Sequence, residues 1–240
     1  MEPPDRPVSR PERWDPWPLR SGAEVVFLAG EQAAAERIAR RLFRRALDLH
    51  DYAGLAGASD SAKVEVGALD GMLYLEMSDP VATAYRAFYY VRRAAGRITL
   101  CNEGFHIHLR RLQGVGLGLQ MFLRQVRNAV MLGVDRITAV AGRRRDENGY
   151  YTWPRFGFDG HLPRSLRRMT PPNCGGATNV LDVMASEEGR RWWREHGDTI
   201  RVTFDLADGS RSRETLREYA ASKFFSFGPK RNLATRAAIS

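Results

Sequence analysis

Apolar and polar positions recur in this chain with two periods, and the changes from one period to the other mark out its elements. Val25, Val26, Phe27 and Leu28 form a short apolar run ending at Gly30, the pattern of a buried strand. Over 31–49 the positions Ala34, Ile38, Leu42 and Leu49 recur at helical spacing with arginines opposite, which predicts a helix. Residues 53–62, rich in Gly, Ala and Ser, read as a connection. Strands at 63–69 and 72–77 flank Asp70-Gly71, the best hairpin signal present. Over 79–96 two signals conflict. Ser78-Asp79-Pro80 is a helix start, whereas Phe88-Tyr89-Tyr90-Val91 favours strand, and the reading taken is helix.

Residues 97–109 alternate as a strand, with Phe105, Ile107 and Leu109 on one face and His106 and His108 on the other. After Gln113-Gly114-Val115-Gly116-Leu117-Gly118 comes an amphipathic helix closed by Gly133. Leu119, Phe122, Val126, Ala129 and Val130 give it a buried face, with Gln120, Arg124 and Arg127 outside. A strand at 135–141 leads to the basic loop Gly142-Arg143-Arg144-Arg145, then to an aromatic segment, 148–158, interrupted by Pro154. Residues 159–176 are loop-like. Helices follow at 177–185 and 187–196, the second capped by Ser186 with Glu187 and Glu188 in its first turn. A strand at 199–206, the turn Asp208-Gly209 and a helix capped by Ser210 and running to about Lys223 complete the pattern. The class is mixed α/β (α+β), with no internal repeat and an added C-terminal helix–strand–helix segment. The division expected is a Pro-rich tail at 1–21, disordered or extended, a core at 22–158, and an extension at 159–240 packed on it.

Composition narrows the picture modestly. With 240 residues the chain can bury a substantial core. No apolar run approaches the roughly 20 residues that span a bilayer, and the first 20 residues lack the apolar centre of a secretory signal. The two cysteines, Cys101 and Cys174, are far apart, so a reducing cytoplasm is the expected location. The net charge of +9 would suit nucleic acid, an acidic partner or a polyphosphate cofactor. The arginines are spread along the whole chain, helix faces included, which argues against a nucleic-acid-binding module.

The segment from 98 to 142 carries the chemistry. Strand, glycine-rich turn and helix N-terminus together present free backbone N–H groups to a phosphate. The spacing fails the Gly-x-Gly-x-x-Gly dinucleotide pattern, because Leu119 and Met121 stand where its third glycine belongs, and no Gly-Lys-Ser/Thr is present. What is present is Gln113-x-x-Gly116-x-Gly118. Glycine there leaves room for a pyrophosphate against the backbone. Each charge-assisted N–H bond contributes about 1.5–3 kcal/mol, and the helix terminus adds roughly 0.3–1 kcal/mol. The competing reading is a tight strand-to-helix turn with no ligand.

This pattern resembles the acetyl-CoA-binding motif of the GCN5-related N-acetyltransferases, Arg/Gln-x-x-Gly-x-Gly/Ala. Tyr150-Tyr151-Thr152-Trp153-Pro154-Arg155-Phe156-Gly157-Phe158 is similar to the family's later aromatic motif ending in Gly-Phe, and the likeness covers about residues 98–158. The resemblance implies a mostly antiparallel central sheet splayed near Gly114–Gly118 and flanked by helices. It also implies acetyl-CoA as acyl donor without a metal, and a primary amine on a small molecule, peptide or protein as acceptor. Gln113, Gly114, Val115, Gly116, Leu117 and Gly118 would form the cradle, and a backbone N–H around His108–Leu109 would polarise the thioester carbonyl. Glu103 or His106 would serve as base, although a solvated turn acid explains Glu103 equally well. The family's acid is a Tyr four residues before the glycine of Gly-Phe, a position held here by Trp153, so Tyr151 is the candidate acid and buried packing its alternative.

Other features are weaker. His106 and His108 lack a third metal ligand, so packing or substrate contact is their expected role. Cys174 reads as a loop thiol. Arg143–Arg145, Arg164, Arg167 and Arg168 would suit a nucleotide 3′-phosphate, an acidic substrate or simple solvation. Trp192 and Trp193 cannot both face a core, which leaves one for a groove or a homodimer contact. Two alternatives stand beside acetyl transfer: a catalytically degenerate CoA-binding scaffold, suggested by Trp153, and the basic nucleic-acid module.

Overall fold

A computed structural model describes residues 22–79, 84–109, 112–114, 116–144 and 147–226. The expected tail (1–21), Pro80, Val115, Arg145 and the end of the extension (227–240) lie outside the described residues. In chain order the elements are β1 (Glu24–Phe27), α1 (Gln32–Phe43), α2 (Leu49–Leu55), β2 (Lys63–Leu69), β3 (Met72–Ser78), β4 (Tyr85–Ala94) and β5 (Arg97–Ile107). Then come α3 (Leu117–Met131), β6 (Arg136–Ala141), β7 (Arg143–Arg144), β8 (Glu147–Asn148), α4 (Gly149–Arg155) and α5 (Arg164–Arg167). The C-terminal part holds α6 (Val180–Met184), α7 (Glu187–His196), β9 (Ile200–Asp205) and α8 (Arg211–Ser226).

Seven strands form one sheet in the order β1-β2-β3-β4-β5-β6-β9, beside a β7–β8 ribbon. Strands β2 to β5 run as an antiparallel meander and β9 is antiparallel to β6, whereas β1–β2 and β5–β6 are parallel. Each parallel pair is joined through helices, because a parallel connection needs a crossover. The fold is mixed α/β with a mostly antiparallel central sheet. Two tight turns set the meander's register. Asp70-Gly71 (φ 48° and 74°) and Ala95-Gly96 (φ 48° and 77°) each place two residues in the left-handed region, the geometry that continues a twisted hairpin.

Two sequence expectations are corrected here. Residues 79–96 hold a strand, β4, not a helix: Tyr85, Ala87, Tyr89 and Val91 are buried while Arg86 between them is exposed, a period of two. Aromatic and β-branched residues pairing across strands outweigh a helix-start signal confined to three positions. The helix expected over 31–49 ends early, at Phe43. Arg44 turns left-handed (φ 56°) after α1, and Asp48 and Asp51 form a reciprocal capping box that starts a second helix, α2, at Leu49, which runs on into the expected connection.

The strands bury one face, from Val64 and Leu75 through Val91 and Leu100 to Ile137 and Phe204. Phe122 of α3 packs there against Trp153, Phe156, Phe158 and Phe204, with ring centroids 5.2–5.9 Å apart. Phe204 belongs to β9, so the C-terminal part supplies both the last strand and a member of this aromatic cluster. On the opposite face Arg86, Arg92, Val140 and Arg201 are exposed. Between α2 and α3, Gln125 donates to the Leu55 carbonyl (2.9 Å) and Arg124 to that of Ala58 (2.9 Å).

Candidate functional site

The site begins with a defect in β5. Tyr89 pairs with Asn102 and Phe88 with Gly104, so Glu103 is an extra residue, a β-bulge opposite Phe88. The bulge inverts the face on which alternate side chains fall. Asn102 points toward α3, where its amide bonds Gln125 (3.2 Å), and beyond the bulge Phe105 and Ile107 are the residues nearest α3 at Gly118. Gly104, His106 and His108 take the other side.

The same strand loses a neighbour. The parallel β5–β6 ladder runs only from Thr99↔Arg136 to Asn102↔Ala139, yet β5 continues to Ile107 and β6 to Ala141. His108 N–H donates to Ala84 O (2.8 Å), which fixes the hydrogen-bond phase against β4. By antiparallel alternation, the N–H and C=O of Phe105 and Ile107 point away from β4 into the gap. Gln113 Nε2 fills part of it by donating to Ile107 O (2.8 Å). A wedge bordered by strand backbone that pairs with no strand on this side among the described residues therefore opens between β5 and β6, next to the glycine turn.

That turn delivers the N-terminus of α3 to the wedge. Gly116, its N-cap, has φ 90° and no side-chain cap, and the first turn carries no acidic residue. Gln120 N–H is the first to find an intrahelical partner, Gly116 O (3.0 Å), which leaves the N–H groups of Leu117, Gly118 and Leu119 without an intrahelical acceptor. Gly114 (φ 76°) and Gly116 need glycine for their backbone conformation, and among the described residues nothing stands within 4 Å of where a Cβ would lie. Gly118 needs it for space, because a Cβ would sit 3.2 Å from Phe105 Cε1. Each glycine thus has a local reason, and the case for a ligand rests on the N–H groups and open space they leave.

The remaining candidates divide. Glu103 and His106 are exposed, and His106 lies on the face of β5 away from α3. The His106 and His108 rings stack with centroids 6.2 Å apart, and no group of three potential metal ligands occurs among the described residues. The N–H groups of His108 and Leu109 both donate to Ala84 O (2.8 and 3.3 Å), so carbonyl polarisation would instead fall to Phe105 and Ile107. Tyr151 turns away from the wedge: at about 100° per residue it lies on the side of α4 opposite Trp153. Its ring contacts the guanidinium groups of Arg155 (5.3 Å) and Arg194 (5.9 Å).

Trp153, which the sequence places at the family's acid position, lies on the other side of α4. Its ring joins the Phe122 cluster, and a Cβ on Gly149 would meet Trp153 Nε1 at 3.2 Å and Gly142 N at 3.1 Å, so the indole edge reaches the end of β6. Its N–H has no acceptor among the described residues. Trp193, by contrast, is fully buried and donates to Tyr150 O (2.8 Å), while Trp192 is half-buried and stacks on His196 at 5.1 Å.

Away from the wedge, a cavity of about 420 Å³ lies beside β9, lined by Asp159, His161, Arg201, Thr203, Asp205 and Arg211. Arg211 there donates to Asp182 (2.6 Å). Burial pushes the Asp182 carboxyl up, but Arg211 and the N–H groups of Asn179 and Thr178 outweigh that and hold it below its ordinary value. No protein-family model matches the chain, and no curated protein matches it in sequence.

Proposed function

We propose that this chain is an N-acetyltransferase similar to the GCN5-related enzymes, moving an acetyl group from acetyl-CoA directly to a primary amine. The observation that carries the reading is the wedge: strand backbone at Phe105 and Ile107 with no neighbouring strand on the β6 side among the described residues, next to a helix N-terminus without a side-chain cap. Acetyl-CoA would supply the activated acyl group as a thioester. The N–H groups of Leu117, Gly118 and Leu119 would hold its pyrophosphate, with Gln113 fixing the turn. Phe105 N–H or Ile107 N–H would bond the carbonyl oxygen as it becomes negative. Glu103 or His106 would take the proton that the acceptor ammonium must lose for the neutral amine to attack. A C–N bond forms, the C–S bond breaks, and the departing thiolate accepts the Trp153 N–H bond before solvent protonates it.

Both cysteines are unpaired thiols, which fits the cytoplasmic location proposed, and no helix among the described residues is long and apolar enough to cross a membrane. The acceptor class is a primary amine on a small molecule, peptide or protein. One observation favours a second reading: an indole cannot act as a proton donor in acid catalysis, which suits a CoA-binding scaffold without turnover. Release of free CoA thiol with a panel of primary amines separates the two. Amine-dependent release that disappears in Gly116→Val supports the enzyme. Acetyl-CoA binding without release from any amine supports the scaffold.

A further inference from the structure

We infer that a phosphate-binding site distinct from the wedge lies where α4, α7 and α8 meet. Arg155, Arg194 and Lys223 come from three different helices and converge on two tyrosine rings. Arg155 lies 4.7 Å from the Tyr219 ring and 5.3 Å from that of Tyr151; Arg194 reaches Tyr151 at 5.9 Å and Lys223 reaches Tyr219 at 5.7 Å. Cation and ring alternate along the row from Lys223 to Arg194.

Several of the chain's arginines have an acidic partner. Arg45 meets Asp51, Arg86 meets Glu76, Arg124 meets Asp60 and Arg211 meets Asp182. Arg155, Arg194 and Lys223 have no acidic partner among the described residues. Like charges gathered without a counterion repel one another, and half-buried Arg155 also loses hydration. The tyrosine faces offset part of this by cation–π attraction, which holds the cations in place without neutralising them. The phenol hydroxyls of Tyr151 and Tyr219 likewise have no hydrogen-bond partner among the described residues, so two O–H donors accompany the three cations. Guanidinium forks beside neutral donors match a phosphate better than a carboxylate, since they can serve three oxygens at once. The phosphate could belong to a free phosphorylated compound or to a nucleic-acid backbone.

The test is calorimetric titration with inorganic pyrophosphate and, separately, with a short single-stranded oligothymidylate. Gly116→Val serves as background, so that the α3 terminus does not compete. Arg155→Gln/Arg194→Gln should weaken the binding by at least about tenfold, whereas Arg155→Lys/Arg194→Lys, which keeps the charge and loses the fork, should weaken it less, with thermal melting confirming that both pairs fold. Pyrophosphate binding that depends on the arginines identifies a free phosphate compound. Tighter, steeply salt-dependent oligothymidylate binding with the same dependence identifies a nucleic-acid backbone. If neither probe binds, or the Gln pair leaves both affinities unchanged, the site does not exist. Acetyl-CoA affinity of the Gln pair in an otherwise native chain reports on the wedge separately, so that each assignment can fail alone.

Discussion

At the residue scale, the proposed chemistry turns on a single N–H. Trp153 fills the position where the resembling family uses a tyrosine, and its ring is held by Phe122, Phe156 and Phe158. Trp153→Phe keeps an aromatic ring in the cluster and removes the donor. Turnover should fall by about tenfold, the value of one hydrogen bond near 1.4 kcal/mol, with acetyl-CoA affinity retained. Tyr151→Phe should leave turnover unchanged; steady-state kinetics on the two variants is the check. The identity of Tyr151 was readable in the sequence, but its direction was not, because the seven-residue α4 with its internal Pro154 fixes which side chains share a face. Tyr52 offers a separate check of burial. Its hydroxyl is sealed in the core, and burial, with Glu36 and Asp51 adding to it, pushes its pKa up to about 12. The folded state thus keeps the proton that the unfolded state releases near pH 10. The stability is fully present below pH 10 and lost as pH rises toward 12, and Tyr52→Phe should flatten that decline in denaturant melts.

At the element scale the informative feature is the bulge at Glu103. A glycine inside a strand, Gly104, is the sequence signal that could have located it. Alternation alone could not, since it treats 97–109 as one uninterrupted period, and the placement of a polarising N–H around His108–Leu109 comes from the resemblance, which carries no information on the bulge. The helix expected at 79–96 failed for a related reason, because the partners that make β4 a strand lie on β3 and β5, outside any local window. The succession of strand, glycine turn and helix was legible, since its parts are contiguous in sequence. The α2–α3 contact supplies a stability test of this packing. A Cβ at Gly57 would collide with the Met121 carbonyl oxygen, and its φ of 67° strains any other residue. Gly57→Ala should lower the unfolding free energy by about 1–3 kcal/mol in urea titration. An unchanged midpoint would contradict the close approach of these helices.

At the scale of the whole molecule, the C-terminal part is joined to the sheet rather than appended to it. β9 extends the sheet beyond β6, Asp159 and Thr203 exchange backbone hydrogen bonds (2.9 and 2.7 Å), and Arg211 of α8 holds Asp182 of α6. The depressed Asp182 carboxyl makes that link pH-dependent. Its contribution is complete above about pH 4, the value of the unfolded carboxyl, and is lost as pH falls through the lower folded value. Asp182→Asn should therefore remove part of the acid sensitivity seen in thermal melts below pH 4. The sequence placed this strand and its flanking helices, whereas their pairing with β6 is a long-range event that only the assembled sheet reveals. The same assembly leaves the wedge open: β6 turns to pair with β9 through Ile200 while β5 stays with β4 through Tyr85, so the two strands part beyond Asn102. The claim on which the account rests is that this parting receives acetyl-CoA. Isothermal titration of acetyl-CoA into the native chain and into Gly116→Val tests it directly. The expected result is a dissociation constant on the order of micromolar, about −8 kcal/mol, weakened roughly a hundredfold in a folded variant. Absence of binding to the native chain, or equal affinity in both, would contradict it and leave the glycine turn a purely structural link between β5 and α3.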